Sequence, residues 1–281
     1  MAEYSPMMQH YLATKKQYND CILFYRLGDF YEMFFDDAIT VSKELELTLT
    51  GKDCGQEERA PMCGVPFHAA ETYINRLVSN GHKVAICEQM EDPKLAKGIV
   101  KREVIKVVTP GTNLNAQALD ETKNNYLFCI YYQGDVIGVS ICDFSTGDYF
   151  VTELKSENDL IDEINKFVPS EIIVNEYFAM SGIDLTAVNE KLNISMSTLE
   201  NWYFDEDSSI KKLLSHFKIS ALDGLGVKDY PTGIIAAGAL LTYLYETQKS
   251  DMSHIITLTP YTTGKYMLIE SSSRRNLELV E

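Results

Sequence analysis

In the first part of the chain, the spacing of apolar positions alternates between the three-to-four-residue period of a helix and the short apolar runs of buried strands. Ser5-Pro6 is a typical helix start and begins a predicted helix that ends near Tyr18. The apolar run at residues 21–27 predicts a buried strand, which the turn residues Gly28-Asp29 end. Residues 30–45 then place apolar side chains at helical spacing. A strand-to-helix reversal is therefore predicted at Gly28.

The rest of the first 113 residues continues this pattern and predicts a mixed α/β domain. Its other predicted elements are a strand at 47–50, a polar loop at 51–58, irregular chain at the proline-rich residues 61–66, a helix at 68–79 and strands at 83–88 and 100–109. Residues 114–125 are polar and lack a clear period, which is typical of a linker. The first domain is therefore assigned to residues 1–113.

Residues 126–249 have the pattern of a second α/β domain. Strands are predicted at 126–132, 136–143, 147–154, 171–175 and 194–199, and helices at 160–167, 183–192, 208–217 and 232–248. Three hairpin-linked strands followed by alternating helices and strands predict a mixed sheet covered by helices. A predicted strand at 265–270 and a helix from 271 onward complete no core. Residues 250–281 are thus expected to be the truncated start of a further domain.

The charge of the chain is acidic but unevenly distributed. Its 281 residues include 25 Lys and Arg against 41 Asp and Glu, a net charge of -16, which argues against a nucleic-acid or anionic-membrane partner. Up to residue 113, however, there are 13 basic and 16 acidic residues, against 12 and 25 after it. The basic strip consists of Lys94, Lys97, Lys101, Arg102 and Lys106. The acidity therefore belongs mainly to the second half.

Several kinds of chemistry lack a sequence signal. The six cysteines form no C-x-x-C pair, so reduced thiols are expected, without a zinc site or a disulfide framework. Neither G-x-x-x-x-G-K-[ST] nor G-x-G-x-x-G occurs, and no catalytic order of Ser, His and Asp stands out. No run of 18 apolar residues and no signal peptide is found. We therefore expect a cytoplasmic protein without a membrane partner, and a chain that is not itself an enzyme.

The glycine turn at residue 28 is the densest candidate site. It leaves Phe30 at the lip of the turn, with Glu32 just beyond it. An aromatic ring at such a corner could insert as a wedge between base pairs. A core phenylalanine and a glutamate near a helix N-terminus are the simpler explanation of the same pattern.

A second turn, at residues 143–148, offers a different hypothesis. Asp143 is placed as in a ribonuclease-H-like metal-dependent nuclease, which needs further carboxylates at the same metal site. Asp135, Glu153 and Glu171 are the nearby candidates, but their spacing does not link them. A polar β-turn is the simpler explanation.

Five motifs occur in one order along the first half of the chain. They are Pro6-Met7-Met8-Gln9 with Tyr11-Leu12; Phe24-Tyr25-Arg26 with Gly28-Asp29-Phe30-Tyr31-Glu32; Pro61-Met62-Cys63-Gly64-Val65-Pro66 with His68; Val84-Ala85-Ile86-Cys87-Glu88-Gln89; and Val108-Thr109-Pro110-Gly111-Thr112. Together they closely resemble the N-terminal mismatch-recognition domain of the MutS family of DNA mismatch-repair proteins. The resemblance continues through a ribonuclease-H-like connector domain to about Gln248, and residues 274–278 resemble the start of the family's helical core, or lever, domain.

This resemblance implies roles for particular residues in the first domain. Phe30 matches the phenylalanine that family members stack on a mispaired base from the minor groove, and Glu32 matches the glutamate that hydrogen-bonds that base. Lys52, Arg102 and Lys106 align with basic positions expected to contact DNA phosphates, and Met62 is expected to line the same groove, although it could equally be a packing residue.

The resemblance also implies partners. The DNA partner would be a double strand with a mismatch or a small insertion/deletion loop. The second domain would be non-catalytic, would link the DNA site to an ATPase domain beyond residue 281, and would offer a surface to MutL. ATP, Mg²⁺ and homodimer formation would belong to the full-length parent, and no cofactor is expected in this chain.

Overall fold

Two six-stranded sheets organise the part of the chain that the structure describes, one in each half. The structure, a computed structural model, describes residues 3–91, 98, 100–114 and 124–263. The chain divides into a first unit of residues 1–125 with 244–252 and a second unit of residues 126–243 with 253–281.

The first unit places one parallel strand pair at the centre of an otherwise antiparallel sheet. Its elements are α1 (Pro6–Gln17), β1 (Cys21–Leu27), β2 (Phe30–Phe34), α2 (Phe35–Leu45), β3 (Thr50–Lys52), β4 (Ala60–Pro66), α3 (Ala70–Ser79), β5 (Lys83–Gln89) and β6 (Arg102–Val108). The strand order is β3-β4-β2-β1-β5-β6, and only β1 and β5 run parallel. β2 therefore has a partner on each side.

Both faces of this sheet are covered by helices. Side chains on one face pack with α1, and those on the other face pack with α2 and α3. Along β1, Leu23 and Tyr25 belong to the α1 face, whereas Ile22 and Phe24 belong to the opposite face. This alternation is the period-2 pattern of a strand buried on both sides.

The second unit is a mixed sheet with an antiparallel meander at its centre. The elements that follow in the chain are β7 (Tyr126–Tyr132), β8 (Ile137–Asp143), β9 (Asp148–Leu154), α4 (Glu157–Phe167), β10 (Glu171–Asn175), α5 (Glu176–Ala179), α6 (Thr186–Leu192), β11 (Ser195–Leu199), α7 (Glu206–Phe217), α8 (Pro231–Gln248) and β12 (Thr259–Pro260). The strand order is β11-β10-β7-β8-β9-β12. The mixed α/β class predicted for both domains is confirmed, as is the mixed, helix-covered sheet predicted for the second.

Several predicted elements are wrong in the first unit. Residues 30–34 form β2 rather than the start of a helix, because their side chains alternate between the two faces of the sheet. Phe35, the first residue of α2, has a φ of 53°, so the chain changes direction directly after this strand. Residues 61–66, predicted as irregular, belong to β4, in which Pro61 and Pro66 stand near the ends.

Two further differences concern short segments and the chain end. The strand predicted at 47–50 lies at 50–52 instead, so Gly51 and Lys52 belong to β3 rather than to a polar loop. The strand predicted at 265–270 and the helix predicted from 271 fall outside the described residues.

Gly138 tests the packing of β8 in the second unit. A Cβ at this position would overlap the backbone of Thr232 and lie 2.9 Å from the amide nitrogen of Gly233. We expect Gly138→Ala to lower the free energy of unfolding by about 1–3 kcal/mol, because backbone atoms cannot rotate away. Urea unfolding followed by the fluorescence of Trp202, the single tryptophan, measures this change.

Gly224→Ala is the matched control. An added Cβ at Gly224 meets no atom within 4 Å, so this variant should unfold at nearly the wild-type urea concentration. Equal destabilisation by both substitutions would contradict the proposed steric cause.

Candidate nucleic-acid interface

A tight hairpin carries Phe30 at its tip. β1 and β2 are antiparallel, with Leu27 paired to Phe30 across the two-residue turn Gly28-Asp29. Gly28 has a φ of 59°, a conformation that glycine adopts without the penalty of a Cβ. The Phe30 side chain is 46% exposed, although its strand neighbours Tyr31 and Met33 are buried. Phe30 is therefore a presented aromatic rather than a core residue.

Strand geometry puts Glu32 on the same face as Phe30. Side chains of β2 alternate, so Phe30, Glu32 and Phe34 point to the α1 face, whereas Tyr31 and Met33 pack with α2 and α3. The prediction of a helix over these residues would have separated Phe30 and Glu32 by about 200° around its axis. As a strand, β2 instead aligns them about 6.6 Å apart along one surface.

An ion pair holds the Glu32 carboxylate. Lys52 Nζ lies 2.5 Å from Glu32 Oε2, with the Lys52 and Glu32 side chains 32% and 15% exposed. The same ammonium lies 5.8 Å from the centre of the Phe34 ring. Gly64, paired with Glu32 on β4, leaves the neighbouring position without a side chain.

Arg26 fastens the base of the hairpin. Its Nε donates to the carbonyl of Gly28 at 2.5 Å, and its guanidinium lies 3.9 Å from the centre of the Phe67 ring. Glu88 Oε2 accepts from Arg26 at 3.4 Å and from the Tyr31 hydroxyl at 2.6 Å. Burial, and secondly the hydrogen bond to Glu88, raises the pKa of Tyr31 to about 12. This network braces the hairpin that carries Phe30.

Arg102 was expected to contact DNA phosphates from the basic strip, but its side chain is buried beneath the hairpin. It donates to the carbonyl oxygens of Arg26 at 2.7 Å and Val100 at 2.8 Å. It also donates to Gln89 Oε1 at 3.3 Å, an atom that accepts from the Gly28 amide as well. The guanidinium therefore supports the turn through the backbone of β1.

Lys106 lies on the opposite face of the sheet from Arg102. A register shift in the β5–β6 pairing pairs Lys106 with Ile86, on the α2–α3 side. There it lines a cavity of about 360 Å³ together with Tyr31 and Phe67. Burial lowers the pKa of Lys106. The structure thus brings Phe30, Glu32, Lys52 and Arg102 to one face and places Lys106 on the other.

Met62 has an intermediate position. It is partly buried, is paired with Phe34 on β2 and Thr50 on β3, and packs against the α1-face cluster. Packing is therefore a role that the structure gives to Met62, and a contact with the groove of DNA stays a prediction.

Sequence reasoning did not single out Glu88 and Gln89 as part of the site. A usable signal exists, because β1 and β5 run parallel and their carboxyl ends meet at one edge of the sheet. The Glu88-Gln89 pair ends β5 at that edge, beside the Gly28 turn. Recognising the parallel pair from sequence would have placed both side chains there.

The carboxylates near Asp143 have separate structural roles. Asp143 Oδ1 accepts from the Ser145 amide at 2.8 Å and the Ser145 hydroxyl at 2.6 Å, which closes a β-turn. Glu153 accepts from the amides of Thr232 and Gly233 at the start of α8, and Glu171 accepts from the hydroxyl of Tyr243. Asp135 is exposed. Among the described residues, no three His, Cys, Asp or Glu side chains are grouped closely enough to hold a metal ion.

The cysteines and helices add two further observations. All six cysteines are buried free thiols, and burial raises the pKa of Cys63 to about 11 and of Cys87 to about 12. None of the helices in the part of the chain that the structure describes has the length and apolar character needed to span a membrane.

The Tyr31 hydroxyl tests the hairpin support. We expect Tyr31→Phe to lower the free energy of unfolding of the first unit by about 1–2 kcal/mol, since a partly buried hydrogen bond to a carboxylate is lost. Far-UV circular dichroism during urea unfolding measures it. Because folding raises the pKa of this phenol from 10.0 to about 12, its contribution should be complete below pH 10 and disappear as the pH approaches 12.

Tyr4→Phe serves as the control, because the Tyr4 ring is 37% exposed. It should change the free energy of unfolding by less than about 0.5 kcal/mol. A Tyr31→Phe protein as stable as this control would mean that the bond to Glu88 contributes nothing.

Comparison with known proteins identifies both halves of the chain. Residues 5–117 match MutS domain I and residues 125–256 match MutS domain II. The chain is 62% identical over 281 residues to the DNA mismatch repair protein MutS of Lachnoclostridium phytofermentans, covering 100% of this chain and 30% of that protein. It is 52% identical over 284 residues to the MutS protein of Ruminiclostridium cellulolyticum, covering 100% of this chain and 32% of that protein.

The match to the MutS protein of Clostridium tetani has 48% identity and covers 99% of this chain and 30% of that protein. The chain therefore spans about a third of the length of the curated relatives that it matches. Domain I and domain II follow each other here as two mixed α/β units, and the chain belongs to the MutS family of DNA mismatch repair proteins.

Proposed function

We propose that this chain detects mispaired or unpaired bases in double-stranded DNA by inserting Phe30 from the minor groove. The observation that carries this proposal is the 46% exposed aromatic ring at the tip of a braced hairpin, with Glu32 on the same face. The ring replaces a stacking partner where the duplex kinks, and Glu32 hydrogen-bonds the displaced base.

Deformability of the DNA supplies the selectivity. A mismatched base has weaker pairing and stacking, so the free energy needed to kink the duplex and unstack the base is lower there than in matched DNA. A braced hairpin can use this difference for selective binding, because little free energy is needed to order the hairpin when Phe30 inserts. Recognition of this kind depends on local stability rather than on a base sequence.

The basic candidates differ in their proposed parts. Lys52 lies on the Phe30 face and is partly exposed, so it is close to the DNA in this arrangement. Arg102 acts from below through the backbone of β1, and Lys106 adds positive charge from the opposite face. Met62 lies beside Phe34 and contributes apolar surface at the edge of the groove.

The second unit has a proposed linking role. Residues 114–281 include 12 basic and 25 acidic residues, a balance that suits a protein partner better than DNA. We propose that this unit connects the DNA site to an ATPase domain beyond the chain and docks MutL, within a cytoplasmic homodimer. ATP and Mg²⁺ would bind outside these residues, because the chain lacks the phosphate-binding glycine motif.

Phe30→Ala tests the wedge. With the chain restored to the length of its relatives, the ratio of affinities for mismatched and matched duplexes should fall about fivefold or more, since base–aromatic stacking contributes about 1–3 kcal/mol. Salt-dependent binding to matched DNA should persist, because phosphate contacts are retained. Fluorescence anisotropy at low salt measures both affinities.

Ile39→Ala is the control for this experiment. Ile39 on α2 is 48% exposed, close to the 46% of Phe30, but lies outside the hairpin. Its loss should leave the affinity ratio unchanged. If Phe30→Ala leaves the ratio of affinities for mismatched and matched duplexes unchanged, the proposed wedge role of Phe30 is wrong.

A further inference from the structure

We infer that Lys52 is a positioning residue for Glu32 and thereby sets the degree of mismatch discrimination, rather than serving only as a phosphate contact. This inference rests on the proposed function. Its structural basis is the ion pair between strands β2 and β3, which lie on either side of β4.

The ion pair leaves one carboxylate oxygen for a ligand. Lys52 Nζ donates to Oε2 of Glu32, and Oε1 has no hydrogen-bond partner among the described residues. A carboxylate oxygen can accept a hydrogen bond from the N–H group of a base edge. Lys52 thus holds one oxygen and leaves its neighbour available on the Phe30 face.

The side of Glu32 that faces β4 offers no comparable support. Gly64 is its partner on β4, and a Cβ there would lie 3.4 Å from Glu32 Cγ and 3.2 Å from the carbonyl oxygen of Tyr31. Glycine therefore lets β4 lie close to the stem of Glu32 but supplies no side chain that could hold the carboxylate. Without the Lys52 ammonium, no partner would fix the rotamer of Glu32, and Oε1 would lose its fixed direction.

Charge gives Lys52 a second reason to stay paired. The phosphates of DNA repel a lone carboxylate. With the Lys52 ammonium 2.5 Å away, the Glu32–Lys52 pair has almost no net charge as seen from the phosphates. The pair is partly buried, so salt screens it less than an exposed pair. Transfer of Lys52 to a phosphate would break this pair and expose the DNA to the unpaired charge of Glu32.

A double-mutant cycle separates the two roles of Lys52. Wild type, Lys52→Gln, Glu32→Gln and the double variant, each restored to the length of the relatives, are titrated with matched and single-mismatch duplexes over a range of salt concentrations. Lys52→Gln should lower the mismatch-to-match affinity ratio about five- to tenfold in the Glu32 protein. In the Glu32→Gln background it should have no further effect on that ratio.

Two other variants guard against trivial explanations. Lys52→Arg keeps the ion pair and should retain the ratio within about twofold, which would exclude a folding defect at this position. Lys43→Gln removes the same charge from an exposed position on α2 and should leave the ratio unchanged.

The opposite results are distinct. If Lys52→Gln weakens both duplexes equally in both backgrounds and lowers the slope of log affinity against log salt by about 0.9, Lys52 is a phosphate contact and the inference is wrong. If wild type itself shows no mismatch preference, or Phe30→Ala retains it, the proposed function fails and the inference fails with it. A wild-type preference that depends on Phe30 but not on Lys52 overturns the inference alone.

Discussion

Backbone pairing of β2 between β1 and β4 fixes the candidate interface. The register that pairs Leu27 with Phe30 on one side and Pro66 with Phe30 on the other determines which side chains of β2 face α1. Tyr31 and Met33 anchor the strand in the opposite core, at the cost of burying a phenol whose hydroxyl must find a partner. Glu88 is that partner. Because the buried side chains anchor β2 in this core, Phe30 can stay exposed on the other face of the same strand.

The sequence predicted most of the architecture because local patterns specify it. Apolar runs identified β1, β5 and the β7–β9 meander, and the mixed sheet of the second unit followed from the order of its strands. The prediction failed at residues 30–34, where alternation is compatible with helical spacing over so short a segment. It also failed at residues 61–66, because the cost of proline in a strand depends on which backbone amides are paired, and this pairing is set by the tertiary structure.

The site could be predicted in part. Phe30 and Glu32 were identifiable from their turn and from family resemblance, and β2 places them on one face. The ion pair between Glu32 and Lys52 could not be predicted, since it joins strands 20 residues apart across a third strand. Burial of Arg102 was equally hidden, because charge along a sequence contains no information on which face of a sheet a side chain occupies.

The alternation of β2 also constrains how the gene for this protein can change. A substitution within residues 30–34 alters one side chain and leaves the others in place, whereas insertion or deletion of a single codon in this strand shifts the residues beyond it by one position. Residues after the change would exchange core and surface, so a charged carboxylate would enter the core formed with α2 and α3 while a buried residue became exposed. Length in this segment should therefore vary far less among functional descendants than residue identity does.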